Sequence, residues 1–270
     1  MEWRKIWAFV VRDFLNEVSY RFGFFLQFGG SFLSAFTWYV ISQIVQPGSL
    51  RVAEVGEGGY FSFVLVGLAF HLYLQSSLGA FASKIRQEQL TGTLEALLAT
   101  PTRVSIIILA SSVWDFVVAS MRVLVYLLFG VFLGVKIIWS NGAPALLVLA
   151  LTIVSFSSIG ILSASLILYF KRGDPLNFLI VSTHTLLGGV LFPTELLQRW
   201  PWVAWLSDVL PLTYALRAVR RTLLAGAPLS DIANELMVLL LFAVLLLPAS
   251  LLAFRFALAK ARQEGSLVHY

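Results

Sequence analysis

The chain of 270 residues is 59% hydrophobic and only 12% charged, with a mean hydropathy of +0.87. A soluble domain carries roughly 25% charged residues and needs a polar surface over its core, so this composition excludes an ordinary soluble fold. Anionic lipid heads suffice to explain the net charge of +5 without any nucleic acid, and the absence of cysteine excludes a thiolate metal site or a thiol nucleophile.

The first 21 residues predict an amphipathic helix. Its apolar positions recur at steps of three and four residues: Trp3, Ile6, Trp7, Val10, Phe14 and Val18. Charges at Arg12, Asp13 and Glu17 interrupt the apolar run that a cleavable signal peptide requires. We expect a helix that lies in the inner membrane interface, with its tryptophans at headgroup depth. The alternative is a helix packed against protein.

Six apolar stretches meet or approach the length of about 20 residues that crosses the hydrocarbon core. They are residues 22–45, 60–82, 106–135, 144–170, 176–193 and 234–258. The fifth is the shortest, and the third is too long for one perpendicular crossing, so its first turns are expected to lie along the interface. The sequence therefore predicts an all-α, polytopic membrane protein with six transmembrane helices in a single domain over residues 1–270.

Lys and Arg in the connections predict the orientation. With the N-terminus inside, the inner connections and termini hold twelve of these cations and the outer connections hold six. The positive-inside rule therefore favours both termini in the cytoplasm of a cell that carries the protein in its plasma or inner membrane.

Residues 86–103, RQEQLTGTLEALLATPTR, interrupt the apolar chain after the second span. Leu90, Leu94, Leu97 and Leu98 lie on one face of a helix, and Pro101 disfavours helix at Thr100. A helix of two to three turns is too short to be stable alone and must pack against something. No cation occurs between Gln87 and Thr102, so anionic lipid is a poor partner. A second protein is the preferred partner, and a plain structural connector is the alternative.

Residues 194–230, between the fifth and sixth spans, are too polar for a span and too apolar for free solution. Four prolines are expected to divide this outer segment into short helices: Pro193, Pro201, Pro211 and Pro228. Three arginines near its end are expected to snorkel to outer phosphates, with attraction of an anionic substrate as the alternative: Arg217, Arg220 and Arg221.

Few ionisable residues fall inside the predicted spans. Asp115 and Arg122 are seven residues apart on nearly one helix face, which suits either a structural pair or the lining of a transport pathway. His184 is expected to be a hydrogen-bonded packing residue rather than a ligand or proton carrier. Small residues allow close helix approach in the first and fifth spans: Gly29, Gly30, Ser31, Ser34 and Ala35, then Gly188 and Gly189.

The sequence offers no catalytic constellation and no metal site. It lacks H-E-x-x-H and G-x-S-x-G motifs, and His71, His184 and His269 are scattered, which argues against an intramembrane enzyme. A secondary transporter or channel would need more coupling groups within its spans than these. Both classes remain alternatives to the interpretation that follows.

Two motifs resemble those of permease subunits in the type-2 ABC exporter family. EQLTGTLEALLATPTR is similar to the cytoplasmic signature, with its acidic residue, G-T-L-E core and following T-P. LFPTELLQRWPWVAWLSDVLPLTYALRAVR, residues 191–220, is similar to the F-P, W-P and P-L-T-Y pattern before the last span. With six predicted spans and the N-terminal helix, the resemblance covers essentially the whole chain.

The resemblance implies a role for each motif. Residues 86–103 would contain the coupling helix that meets the ATPase, through Glu88, Gly92, Thr93, Leu94, Glu95, Pro101 and Arg103. Residues 194–230 would form re-entrant helices that close the outer side of the pathway, with gate residues Phe192, Pro193, Trp205, Pro211, Tyr214 and Arg217. The 1–21 helix would correspond to the connecting helix of the family.

The resemblance also implies the assembly and the activity. Two permease chains, identical or different, would pair with two copies of a separate ATP-binding subunit, because this chain lacks a G-x-x-x-x-G-K-[ST] loop. The chain would bind no cofactor itself, and the partner would bind ATP and Mg²⁺. The expected function is export of a hydrophobic or amphipathic drug, antibiotic or lipid. Export of a polysaccharide or lipid-linked glycan is the alternative.

Overall fold

The structure, a computed structural model, describes residues 2–19, 21–45, 59–90, 104–138, 142–170 and 174–263. These residues confirm the all-helical prediction, and no strand occurs among them. The α-helices are α1 (Glu2–Ser19), α2 (Arg21–Ile44), α3 (Gly59–Leu90), α4 (Val104–Phe132), α5 (Gly142–Phe170), α6 (Asp174–Leu187), α7 (Pro201–Asp208), α8 (Pro211–Leu223) and α9 (Ala233–Gln263). Two 3₁₀ helices, Thr194–Arg199 and Leu229–Ile232, flank α7 and α8.

Four segments among the described residues are long and apolar enough to cross a membrane. They are Gly59–Phe81, Ser112–Phe132, Gly142–Phe170 and Leu229–Ala261, in agreement with the second, third, fourth and sixth predicted spans. The fifth predicted span overlaps α6, whose 14 residues reach only about 21 Å at 1.5 Å per residue, less than the hydrocarbon thickness of about 30 Å. The first predicted span is α2, a helix of 24 residues that is not among the four.

α3 is the central helix and α9 lies at the periphery. The apolar part of α3 is 78% buried inside the protein, whereas that of α9 is only 17% buried. Many exposed side chains of α9 are large and apolar: Met237, Leu240, Leu241, Val244, Leu245, Leu252 and Phe256. Such a surface is suited to lipid rather than water, because lipid imposes no cost on exposed hydrocarbon.

Contacts at the two ends of the bundle define the direction of its helices. At one end, here called the capped end, α8 contacts the segment after α4: Ile138 N donates to Leu223 O at 2.8 Å. At the same end, Arg221 of α8 pairs with Glu235 at the start of α9. At the opposite end, Lys260 of α9 donates to the Tyr169 hydroxyl of α5 at 2.9 Å. α4 therefore ends, and α9 begins, at the capped end.

The N-terminal helix packs against α4. The rings of Phe14 and Trp114 meet edge to face with centroids 5.3 Å apart, and Asp13 is buried beside Arg12, whose Nε donates to its carboxylate at 3.0 Å. Trp7 and Leu15 nevertheless remain exposed. α1 covers most of the predicted 1–21 segment, and protein packing accounts for only part of its surface. Its place in the membrane interface stays a prediction.

α3 is longer than the predicted second span. Its 32 residues reach about 48 Å and continue through residue 90, so the first five residues of the predicted coupling segment belong to the same helix as the span. The helix continues beyond the predicted span of 60–82 because the polar residues 86–90 are good helix formers and do not end a helix.

Candidate functional site

Prolines set the boundaries of the short helices at the capped end, as the sequence predicted. Pro201 and Pro211 are the first residues of α7 and α8, where the missing N–H is not needed, and Pro193 and Pro228 cap the two 3₁₀ helices. α8 is strongly amphipathic and buries most of its residues against α3, α5 and α9. The segment 194–232 is therefore a packed cap, here called the helical cap, rather than a loose loop.

Arg217 joins three parts of the helical cap. Its guanidinium donates to Thr194 Oγ1 at 2.8 Å, lies 3.8 Å from the Asp208 carboxylate and sits over the Tyr214 ring. The Tyr214 hydroxyl donates to Asp208 O at 3.0 Å. Burial raises the pKa of Tyr214, and the nearby Asp208 carboxylate acts in the same direction. The phenol consequently stays protonated and remains a donor at neutral pH.

Two hydroxyl groups attach the cap to the end of α6. Ser207 donates to Leu187 O at 2.7 Å, and Thr213 donates to Ser207 O at 2.8 Å. Ser207 and Thr213 are both buried. The last turn of α6 is thus fixed to the junction of α7 and α8, and a shift of α6 would be transmitted to both cap helices.

Arg220 is buried at the inner face of the cap, with only 2% of its surface exposed. One guanidinium nitrogen donates to Gly189 O at 2.8 Å, to Phe63 O at 3.0 Å and to Val190 O at 3.3 Å. The guanidinium also stacks on the Phe63 ring, 3.4 Å from its centroid. Snorkelling to outer phosphates, expected from the sequence, is therefore wrong for Arg220. Its partners could not be predicted because they are backbone carbonyls from distant segments.

Arg217 and Arg221 of α8 also contact protein groups. Arg221 makes an ion pair of 2.9 Å with Glu235 at the start of α9, and Arg217 contacts Asp208. No phosphate is needed to explain the position of either side chain.

Glycines permit the close approach between α3 and the turn after α6. A Cβ at Gly67 would collide with the Val190 carbonyl oxygen and lie 2.8 Å from an Arg220 nitrogen. Gly189 has a φ of +80°, a left-handed conformation that favours glycine. A Cβ at Gly188 would lie 3.0 Å from the Leu212 side chain of α8. The predicted close approach at Gly188 and Gly189 is confirmed.

The predicted gate residues divide into two groups. Pro193 and Pro211 are buried, and Phe192, Tyr214 and Arg217 are partly buried in the cap. Trp205 is instead 66% exposed and shares the outer surface of the cap with two further exposed tryptophans, Trp200 and Trp202. Tryptophans of this kind are typical of a membrane–water interface.

A polar cavity of about 480 Å³ lies among α2, α3 and α4. α3 contributes one helical face, with Leu68, His71, Leu72 and Gln75 spaced at i, i+3, i+4 and i+7. Sequence reasoning missed this site, although a polar stripe within an apolar span was the signal that could have indicated it. α2 and α4 complete the wall, with Gly30, Ser31 and Ser34 from α2 and Arg122 and Tyr126 from α4.

Hydrogen bonds fix the polar side chains of the cavity. Ser34 and Tyr126 join α2 to α4 at 3.2 Å. The Gln75 amide nitrogen can only donate, so His71 Nε2 accepts from it at 2.9 Å, and His71 Nδ1 then donates to Thr185 Oγ1 of α6 at 3.3 Å. This arrangement requires a neutral His71 and connects the cavity to α6.

His184 packs beside this network as the sequence predicted. It is buried, and its Nδ1 lies 2.8 Å from Ile180 O, one helical turn earlier. These contacts match a packing histidine. Of the small residues predicted to allow close approach in α2, Ser31 and Ala35 are buried, whereas Gly29 and Gly30 have open space around them.

Asp115 and Arg122 of α4 belong to a charged group that also includes Glu17 of α1. Burial disfavours the positive charge of Arg122, and the carboxylates of Glu17 in α1 and of Asp115 partly offset this effect. Arg122 also lines the polar cavity, whereas Asp115 does not. The contribution of Glu17 was not predictable from the sequence, because it depends on α1 packing against α4.

Most of the predicted coupling segment lies outside the described residues. This applies to Gly92, Thr93, Leu94, Glu95, Pro101 and Arg103, and for Glu88 the structure describes only the helical backbone of α3. The roles of these residues stay predictions.

The four long apolar helical segments are typical of an integral membrane protein, and a partly open cavity with polar side chains lies among α2, α3 and α4. A family model described as ABC-2 type transporter matches residues 4–224, which is well over half of the chain. The chain therefore belongs to the ABC-2 type transporter family, as the two motifs predicted, and is a membrane permease component of an ABC transporter. A comparison with curated proteins finds no match.

Proposed function

We propose that the chain is the permease half of an ATP-driven exporter that moves a hydrophobic or amphipathic molecule out of the cytoplasm or the inner leaflet. The observation that carries this proposal is the family match over residues 4–224, in a chain whose described helices form a partly open cavity with polar side chains. Leucine and polar side chains share the cavity wall, which suits a molecule with a polar head and an apolar tail.

In the proposed topology six helices cross the plasma or inner membrane, and both termini are cytoplasmic. α2 and α6 would complete the set of spans, with α6 extended by the turn that Arg220 fixes. The capped end would face outward. Of its four arginines, Arg217 and Arg221 have carboxylate partners and Arg220 is buried, which leaves the exposed Arg199 to weigh against the inner excess of Lys and Arg.

Two such chains, identical or different, would assemble with two copies of a separate ATP-binding subunit, which would hold ATP and Mg²⁺. Residues 86–103 would receive the ATPase movement. Because residues 86–90 continue α3, a displacement of the segment would move the central helix and the cavity face that it carries. The helical cap would close the outer side, since it is bonded to the end of α6 and to the start of α3.

Charge reversal in the coupling segment tests this proposal. Glu88→Lys and Glu95→Lys should lower transport and substrate-stimulated ATPase activity by about tenfold or more in vesicles that contain both subunits, because they place a repulsive charge in a proposed protein contact. Glu57→Lys, in the predicted outer connection, is the matched control and should leave both activities unchanged.

Membrane insertion of all three variants is checked by extraction and size-exclusion chromatography. Normal coupling in well-inserted Glu88→Lys and Glu95→Lys proteins would refute the assignment. Ion-driven flux by the purified chain without an ATPase would favour a secondary transporter instead. Export of a lipid-linked glycan remains the second candidate cargo, favoured by the arginine in the cavity wall.

A further inference from the structure

We propose that the polar cavity among α2, α3 and α4 binds the anionic head of an amphipathic molecule, a phosphate or carboxylate group, with Arg122 as its main contact. As a statement about transported substrate, this inference rests on the proposed export function. As a statement about binding, it depends only on the cavity and is measured without the ATPase.

The charge of the lining favours an anion. Among the described residues that line the cavity, Arg122 has the one permanent charge, and none is a carboxylate. Along α4 the order is Asp115, Arg122 and Tyr126, and the cavity lies on the Tyr126 side of the arginine. Glu17 and Asp115, whose carboxylates partly offset the cost of burying the arginine, are not among the lining residues. A guanidinium has five donors in a planar fork, enough to serve these carboxylates and a ligand together.

The other polar groups provide further contacts for such a head. The Gln75 amide is held by His71, so its carbonyl end is oriented before any ligand arrives. The hydroxyls of Ser34 and Tyr126 bond to each other at 3.2 Å, and either can turn its proton toward an incoming oxygen. Within an apolar bundle each such contact is stronger than it would be in water.

The shape of the cavity favours an amphipathic ligand over a free ion. Its volume of about 480 Å³ lies within the range of roughly 300–1,000 Å³ that is usual for small-molecule sites. Leu68 and Leu72 alternate with the polar residues on α3, so an apolar chain can lie against the same wall. Gly30 and Gln75 are both exposed, which leaves the cavity open on their side for a tail to extend into lipid.

Binding of dodecyl phosphate to the purified chain in a neutral maltoside detergent tests this inference. We expect saturable binding, weaker binding of inorganic phosphate, and no comparable binding of dodecyltrimethylammonium. Arg122→Gln should weaken dodecyl phosphate binding about tenfold or more, because a charge-assisted contact is lost. Arg199→Gln removes an exposed positive charge from the helical cap and should have no effect.

A second pair of variants tests the inference even if Arg122→Gln does not fold. Gly30 lines the cavity and a Cβ there would meet nothing within 4 Å, so Gly30→Leu should narrow the cavity and weaken binding while the protein stays folded. Gly29 has the same open surroundings but does not line the cavity, so Gly29→Leu should bind normally.

An experiment in nanodiscs distinguishes two sources of the anionic head: a phospholipid of the membrane or a different, exported amphiphile. If the site takes membrane phospholipid, adding phosphatidylglycerol to a phosphatidylcholine disc should compete with dodecyl phosphate; unchanged affinity indicates a different, exported amphiphile. Equal binding by the wild-type chain and Gly30→Leu, or equal binding of the cationic probe, would overturn the inference. Coupling defects in Glu88→Lys or Glu95→Lys are measured separately, so failure of this site and failure of the export proposal give different results.

Discussion

Arg220 links three segments that are far apart in the sequence: α8, the start of α3 and the turn after α6. Its guanidinium donates to the carbonyl oxygens of Phe63, Gly189 and Val190. Burial of an arginine is costly unless its charge is well solvated by such groups. The side chain therefore organises the contact between the cap and the central helix.

Replacing Arg220 should destabilise the protein strongly. Arg220→Ala removes the hydrogen bonds and the stacking on Phe63, and we expect the free energy of unfolding to fall by about 3 kcal/mol or more. Arg220→Lys should lose less, because it keeps the charge but not the planar stacking group. Unfolding by SDS titration in detergent micelles measures both, with the exposed Arg199→Ala as control; equal stability of Arg220→Ala and Arg199→Ala would contradict this account.

At this scale the sequence predicted local features better than distant ones. The hydrogen bond of His184 lies within its own helix, so it depends on no distant segment, and its role as a packing histidine stays a prediction. Arg220 and Glu17 act on partners brought close only by tertiary packing, and both were missed. The cavity was missed for the same reason, since its wall combines three helices and no single span contains more than part of it.

Among the secondary-structure elements, the first residues of the short cap helices were the most predictable from the sequence. A proline fixes φ and lacks an N–H, so Pro201 and Pro211 are suited to the first turn of a helix, and α7 and α8 begin at these residues. The lengths of α3 and α6 were less predictable. Hydropathy detects where the chain is apolar, but α3 continues through polar residues and α6 stops within an apolar run at two glycines.

Substitution of Gly67 tests the packing of α3 against the turn after α6. Gly67→Ala would place a methyl group against the Val190 backbone and Arg220, so we expect a loss of about 1–3 kcal/mol in the free energy of unfolding. Gly79→Ala on the same helix meets open space and should be neutral or slightly stabilising, because alanine is the better helix former. The same SDS titration compares them, and equal effects of the two substitutions would argue against close packing at Gly67.

For the whole molecule, two independent features bear on orientation. The contacts of α8 bring the start of α3, the segment after α4 and the start of α9 to the capped end, while α5 and α9 meet at the opposite end through Tyr169 and Lys260. The second feature is the excess of Lys and Arg in the predicted inner connections. Hydropathy could not show which helix ends lie together at each end of the bundle, nor that α3 is central. An apolar helix has the same composition whether lipid or protein surrounds it.

The proposed topology predicts which ends of the bundle water-soluble reagents can reach. The chain has no cysteine, so single cysteines can be introduced without removing any other. Lys136→Cys and Ser230→Cys, both exposed at the capped end, should react with a membrane-impermeant maleimide on intact cells, whereas exposed Gln263→Cys should react only after permeabilisation. Labelling of only one of Lys136→Cys and Ser230→Cys on intact cells would place the two residues on different sides of the membrane and refute a crossing by α6. Labelling of Gln263→Cys on intact cells would place the C-terminus outside and reverse the predicted orientation.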